Sequence, residues 1–133
     1  MHPSPVAGDR QLTLLDCARL RKLHCAVPDD LAALLDEADL LQSEAIAPDV
    51  VTMQATVLIE HLQGGGTQQL TVTYPQDADA AAGRVSVLSP VGLALLGLRA
   101  GAIARWKTPA NTWSAARIAA VVFQPEAHGD CLA

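Results

Sequence analysis

Aromatic residues are scarce in this chain: Tyr74, Trp106, Trp113 and Phe123 make up 3% of its 133 residues. So thin a set, scattered over strands and turns, weighs against an aromatic-lined pocket and against a base-stacking platform. Long apolar runs are missing too. None approaches the roughly 18 residues of a membrane span, and the opening MHPSPVAGDR lacks the charged start and apolar middle of a signal peptide. The chain therefore reads as cytoplasmic, with no membrane partner. Three cysteines, Cys17, Cys25 and Cys131, are odd in number and awkwardly spaced. They exclude a full disulfide framework and favour free thiols. No basic stripe is present to displace counterions from a phosphate backbone, so direct nucleic-acid binding is not expected.

What is present is an apolar half and an uneven charge. Hydrophobic residues are 50% of the chain, enough for a buried core. Residues 1–49 carry nine acids against four bases and residues 50–133 carry five of each, so the net charge of −5 resides in the N-terminal third. Two parts with different tasks follow from that asymmetry.

TLLDCARLRKLHC begins with Thr13, with Asp16 three residues on, a capping-box pattern that predicts a helix from about Leu14 to Cys25. After the turn AVPDD, the spacing of Leu31, Leu34, Leu35, Ala38, Leu41 and Ala45 predicts a second helix with one apolar stripe, closed by Pro48. Asp29 and Asp30 fall in its first turn, where carboxylates meet the positive end of the dipole. The first helix is basic and the second acidic. The expectation is an antiparallel hairpin about 20–25 Å long at 1.5 Å per residue.

From Asp49 the period becomes that of strands. VVTMQATVLI and QQLTVTY flank the glycine-rich EHLQGGGT, RVSVLS follows the loop YPQDADAAAG, and AIARWK and WSAARIAAVVFQ are separated by TPANT. Between them, SVLSPVGLALLGLRAG reads as a short helix: Ser89 the N-cap, Pro90 at the first position, Gly97 the left-handed stop. Its leucines are expected to seal one face of an antiparallel sheet. The fold class is α+β: residues 1–12 an N-terminal arm, 13–47 the helical hairpin, 48–133 a sheet with one short helix.

PDVVTM, YPQDAD, SVLSPVGLALLGLRAG and FQPEAHGD, in that order over residues 48–133, resemble the Rnk family of regulators of nucleoside diphosphate kinase, similar in its C-terminal half to the Gre transcript-cleavage factors. LDCARL and VPDDLAALLDEA match more loosely. The resemblance implies an FKBP-like C-terminal domain, a short coiled coil, and bacterial RNA polymerase as partner, gripped at the rim of its secondary channel in competition with Gre factors. It also implies a polymerase contact around Leu88, Ser89, Pro90 and Val91, although Leu88 stands where Gre factors often carry an acid. Gln54 and Ala55 stand where the family often shows Asn-Ser, and Ala102 where it often shows Asp.

Gre factors place acids at the tip of a longer coil to help hold a catalytic magnesium ion. Asp29 and Asp30 occupy the tip here, on a coil expected to be too short to reach, so no enzyme activity and no cofactor are expected. His128 with Cys131, and His24 with Cys25, reproduce no paired zinc motif. GGGT lacks the lysine of a phosphate-binding loop. Prolyl isomerase chemistry, the other activity an FKBP-like fold suggests, needs an apolar pocket walled by aromatics, which four scattered rings do not readily build.

Overall fold

A computed structural model describes residues 10–22, 29–42 and 45–125. In chain order the elements are β1 (Gln11–Thr13), α1 (Leu14–Arg21), α2 (Asp29–Glu37), β2 (Asp39–Leu41), β3 (Thr56–His61), β4 (Thr67–Thr73), β5 (Arg84–Ser86), α3 (Pro90–Leu95), β6 (Ile103–Lys107) and β7 (Trp113–Phe123). His24, Cys25, His128 and Cys131 lie outside the described residues. No helix is long and apolar enough to cross a membrane among the described residues.

The architecture is mixed α+β, centred on a five-stranded sheet in the order β5-β4-β3-β7-β6. Strands β3, β4, β6 and β7 pair antiparallel, as their alternating patterns and short turns predict. β5 departs from the fully antiparallel expectation: it lies parallel to β4, Val72 opposite Val85. The connection from Tyr74 to Gly83, which includes two single-turn 3-10 helices, is long enough to bring the chain back as far as Thr71, so that β5 runs beside the last three residues of β4. The first strand also starts later than expected. Val50 and Val51 are buried, but as a loop laced to the end of α3: Val51 N donates to Leu98 O at 2.8 Å and Gly97 N to Val51 O at 2.7 Å. Gln54, at φ 68°, ends that loop with a conformation no strand contains.

The N-terminal part differs more. Thr13 caps α1, its hydroxyl accepting from Asp16 N at 2.9 Å, and the carboxylate of Asp16 turns inward, where Oδ2 accepts from Met53 N at 3.1 Å. The second helix stops at Glu37, not near Ala45. Leu41 is on β2, which pairs parallel with β1, Leu12 opposite Leu40. Arg21 and Asp36, each in the last turn of its helix, form an ion pair at 2.8 Å. Opposite charges therefore do join the helices, but in a register that joins their C-terminal ends, whereas an antiparallel hairpin sets Arg21 beside the start of α2. The described helices have 8 and 9 residues, about 12–14 Å each by helix rise. Among the described residues no hairpin of the expected length, about 20–25 Å, is built.

These helices pack on the sheet. Leu12, Leu20, Leu31 and Leu35 are in one buried cluster with Val57, Ile59, Leu95, Leu96 and Ile118. Gly97 permits the close approach: its φ is 84°, and a Cβ there would lie 3.0 Å from Arg10 Cβ.

A candidate docking cleft at the Ser-Pro helix start

Ser86 organises the start of α3. Its carbonyl accepts from Ser89 N at 3.0 Å and from Ser89 Oγ at 2.6 Å, and its own hydroxyl accepts from Leu88 N at 3.0 Å. Ser89 Oγ in turn accepts from Gly92 N at 3.2 Å, the N-cap bond the sequence predicts. Pro90 occupies the first helical position, where a missing N–H leaves nothing unsatisfied. Of the four candidate contact residues Pro90 is exposed, while Leu88, Ser89 and Val91 are half-buried, Leu88 and Val91 packing on the core.

Leu88 and Pro90 line a cleft of about 540 Å³, within the range of ligand-sized sites. Leu93 and Ala94 of α3 continue this wall, α2 forms another with Asp30, Leu34 and Glu37, and β6 supplies Arg105, Trp106 and Lys107, with Trp113 beside them. Asp30 thus faces the same cleft as Pro90. Asp29, also exposed at the start of α2, does not line the cleft.

Charge is segregated here. Acids lie along α2, and Arg105 and Lys107 lie along β6. Arg10 closes the cleft, its Nη1 donating to Leu93 O at 2.7 Å and Leu96 O at 2.9 Å, the carbonyls at the C-terminal end of α3. Burial pushes its guanidinium below the usual pKa, but it remains a cation at any working pH.

Sequence reasoning missed the β6 side of this cleft. Trp106 and Trp113, read there as scattered, are brought together because the turn after Lys107, with Asn111 at φ 65°, sets Trp113 directly opposite Lys107. Lys107 Nζ lies 5.9 Å from the centre of the Trp113 ring, within cation–π range. The signal was the tight turn TPANT, which pairs its flanks. Arg10 carried no such signal, since its partners are more than 80 residues away. Among the described residues no cluster of three metal-ligating side chains occurs.

The fold and the helix start define a domain of the transcription elongation factor class: the family model for "Transcription elongation factor, GreA/GreB, C-term" matches residues 46–122. A solved structure, the prokaryotic transcription elongation factor GreA/GreB from Nitrosomonas europaea, superposes with a TM-score of 0.71 at 35% identity, covering 86% of this chain and 98% of that one. The GreA of Nitratidesulfovibrio vulgaris is 41% identical over 63 residues, 47% of this chain and 39% of its own. The Escherichia coli K12 protein named regulator of nucleoside diphosphate kinase is 33% identical over 132 residues, 98% of this chain and 97% of its own. The chain belongs to the family of the regulator of nucleoside diphosphate kinase, with a GreA/GreB-type domain as its C-terminal part.

Proposed function

We propose that this protein is a non-catalytic transcription regulator that binds bacterial RNA polymerase, docks at the rim of the secondary channel through Leu88, Ser89, Pro90 and Val91, and competes there with Gre-type factors in the cytoplasm. The observation that carries the reading is the capped helix start of a GreA/GreB-type domain, with Pro90 exposed at the mouth of a cleft. An exposed proline on a rigid turn offers apolar area at little entropic cost. The shortness of α1 and α2 supports occlusion of the channel over catalysis, and Asp30, set against the cleft wall, supports a place at the docking surface.

Retention of core RNA polymerase by the immobilised protein tests the reading. Retention is expected at low salt and should weaken as salt rises, because an acidic N-terminal part attracts a basic channel through screened charge. The doubly substituted Ser89→Ala, Pro90→Ala protein should lose retention while still melting cooperatively. No retention of polymerase by the wild type at low salt refutes the proposal.

A further inference from the structure

β6 is an edge strand of the sheet, and its outward side forms part of the cleft. Leu62 N donates to Ala115 O, so Ala115 directs its main chain toward β3. Its neighbours Ser114 and Ala116 then face β6, where they are opposite Trp106 and Ala104. By the alternation of an antiparallel ladder, Ile103, Arg105 and Lys107 point their N–H and C=O groups away from the sheet. No strand pairs with them among the described residues. A row of donors and acceptors that no described strand meets, beside a ligand-sized cleft, is a template for strand addition.

We infer that β6 accepts an extended peptide as a sixth strand, and that the peptide alternates apolar and acidic side chains. Both parts of the pattern follow from the two faces of β6. Ala104 is buried and Trp106 half-buried on the core side, with the Trp106 ring edge-on to His61 at 6.4 Å. A strand laid 4.7–4.9 Å from β6 sets every second side chain on the side of Trp106 and Leu93, which line the cleft. The other side chains fall beside Arg105 and Lys107, both exposed. Neither has a carboxylate partner among the described residues, whereas Arg117 in the next strand already pairs with Glu60 at 2.7 Å. Opposite charge at directly facing positions favours an acid there, and a lysine is repelled. The inference does not rest on the polymerase reading, since it concerns a strand edge and not the Ser89-Pro90 turn.

A seven-residue synthetic probe, acetyl-Val-Glu-Val-Glu-Val-Glu-Val-amide, tests it with the full-length protein. Binding is followed by tryptophan fluorescence, and amide exchange at Ile103, Arg105 and Lys107 should slow in the complex. The same probe with lysine in place of glutamate should bind at least about tenfold more weakly, and Arg105→Glu with Lys107→Glu should reverse that order. Two further probes are methylated on nitrogen, one at the valines and one at the glutamates. Only one set of amides faces β6 in a ladder, so one methylated probe should lose binding and the other keep it. Absence of binding, equal affinity of the acidic and basic probes, or equal behaviour of the two methylated probes would each overturn the inference.

Discussion

Gly92→Ala isolates the contact on which α3 depends. An added Cβ would overlap the carbonyl oxygen of Ser86 and come within 2.9 Å of its carbon and 3.1 Å of Ser89 Oγ. The obstacle is strand backbone, so it cannot swing aside. Helix propensity alone favours alanine by about 1 kcal/mol. Against this, forcing a methyl into a packed contact costs about 1–3 kcal/mol. Moving α3 off β5 also strains the N-cap and the bond from Ser89 Oγ to Ser86 O, each worth about 1 kcal/mol. The net expectation is a loss of about 2–4 kcal/mol. For a domain of this length that lowers Tm by roughly 6–15 °C, readable by calorimetry or circular dichroism. In a Ser89→Ala background the cap is already gone, so Gly92→Ala should cost less there, a coupling a double-mutant cycle resolves. A Gly92→Ala protein that melts at or above the wild-type temperature would mean that propensity acts unopposed and that α3 does not rest on Ser86.

Asp16→Ala removes a buried carboxylate and leaves Met53 N without its acceptor; a loss of about 2 kcal/mol is expected from urea melts, and a change within 0.5 kcal/mol would contradict it. Gln54→Asn should stabilise by about 0.5 kcal/mol, because Asn tolerates the left-handed region better than Gln; a lower Tm would count against that backbone conformation. With a backtracked elongation complex and magnesium, the protein should release no 3′ RNA fragment and should suppress cleavage by an added Gre factor. Asp29→Asn with Asp30→Asn should leave that suppression intact, and fragment release by the wild type that this pair abolishes would show a catalytic tip.

What the sequence conveyed well was local. The Thr13 cap, the Ser89-Pro90 start, the Gly97 stop and the strand patterns of β3, β4, β6 and β7 each depend on a few neighbouring residues, and the structure contains all of them. What it concealed depends on distant partners. Leu41 fits the helical stripe of Leu31 and Leu34, but β1 offers it a ladder, and pairing with Thr13 wins over propensity. Val50 and Val51 look like strand residues because they are β-branched and buried, yet their main-chain partners are at the end of α3. The cleft was half visible: its Ser-Pro side is a contiguous motif, whereas Asp30, Arg10 and the two tryptophans meet only through the tertiary fold.

The short ladder between β1 and β2 also closes a loop. The chain leaves it after Thr13 and returns at Asp39 beside Gln11, with the two paths held at strand spacing, about 4.8 Å. The pairing is parallel, so the enclosed segment leaves at one end of the ladder and re-enters at the other, and its Leu20, Leu31 and Leu35 are buried together with the sheet residues. Doubling the enclosed loop would raise its closure cost by only about 0.6 kcal/mol. Chain inserted between Arg21 and Asp29 is therefore cheap to close, whereas replacing α1 or α2 would uncover the apolar face that those leucines seal.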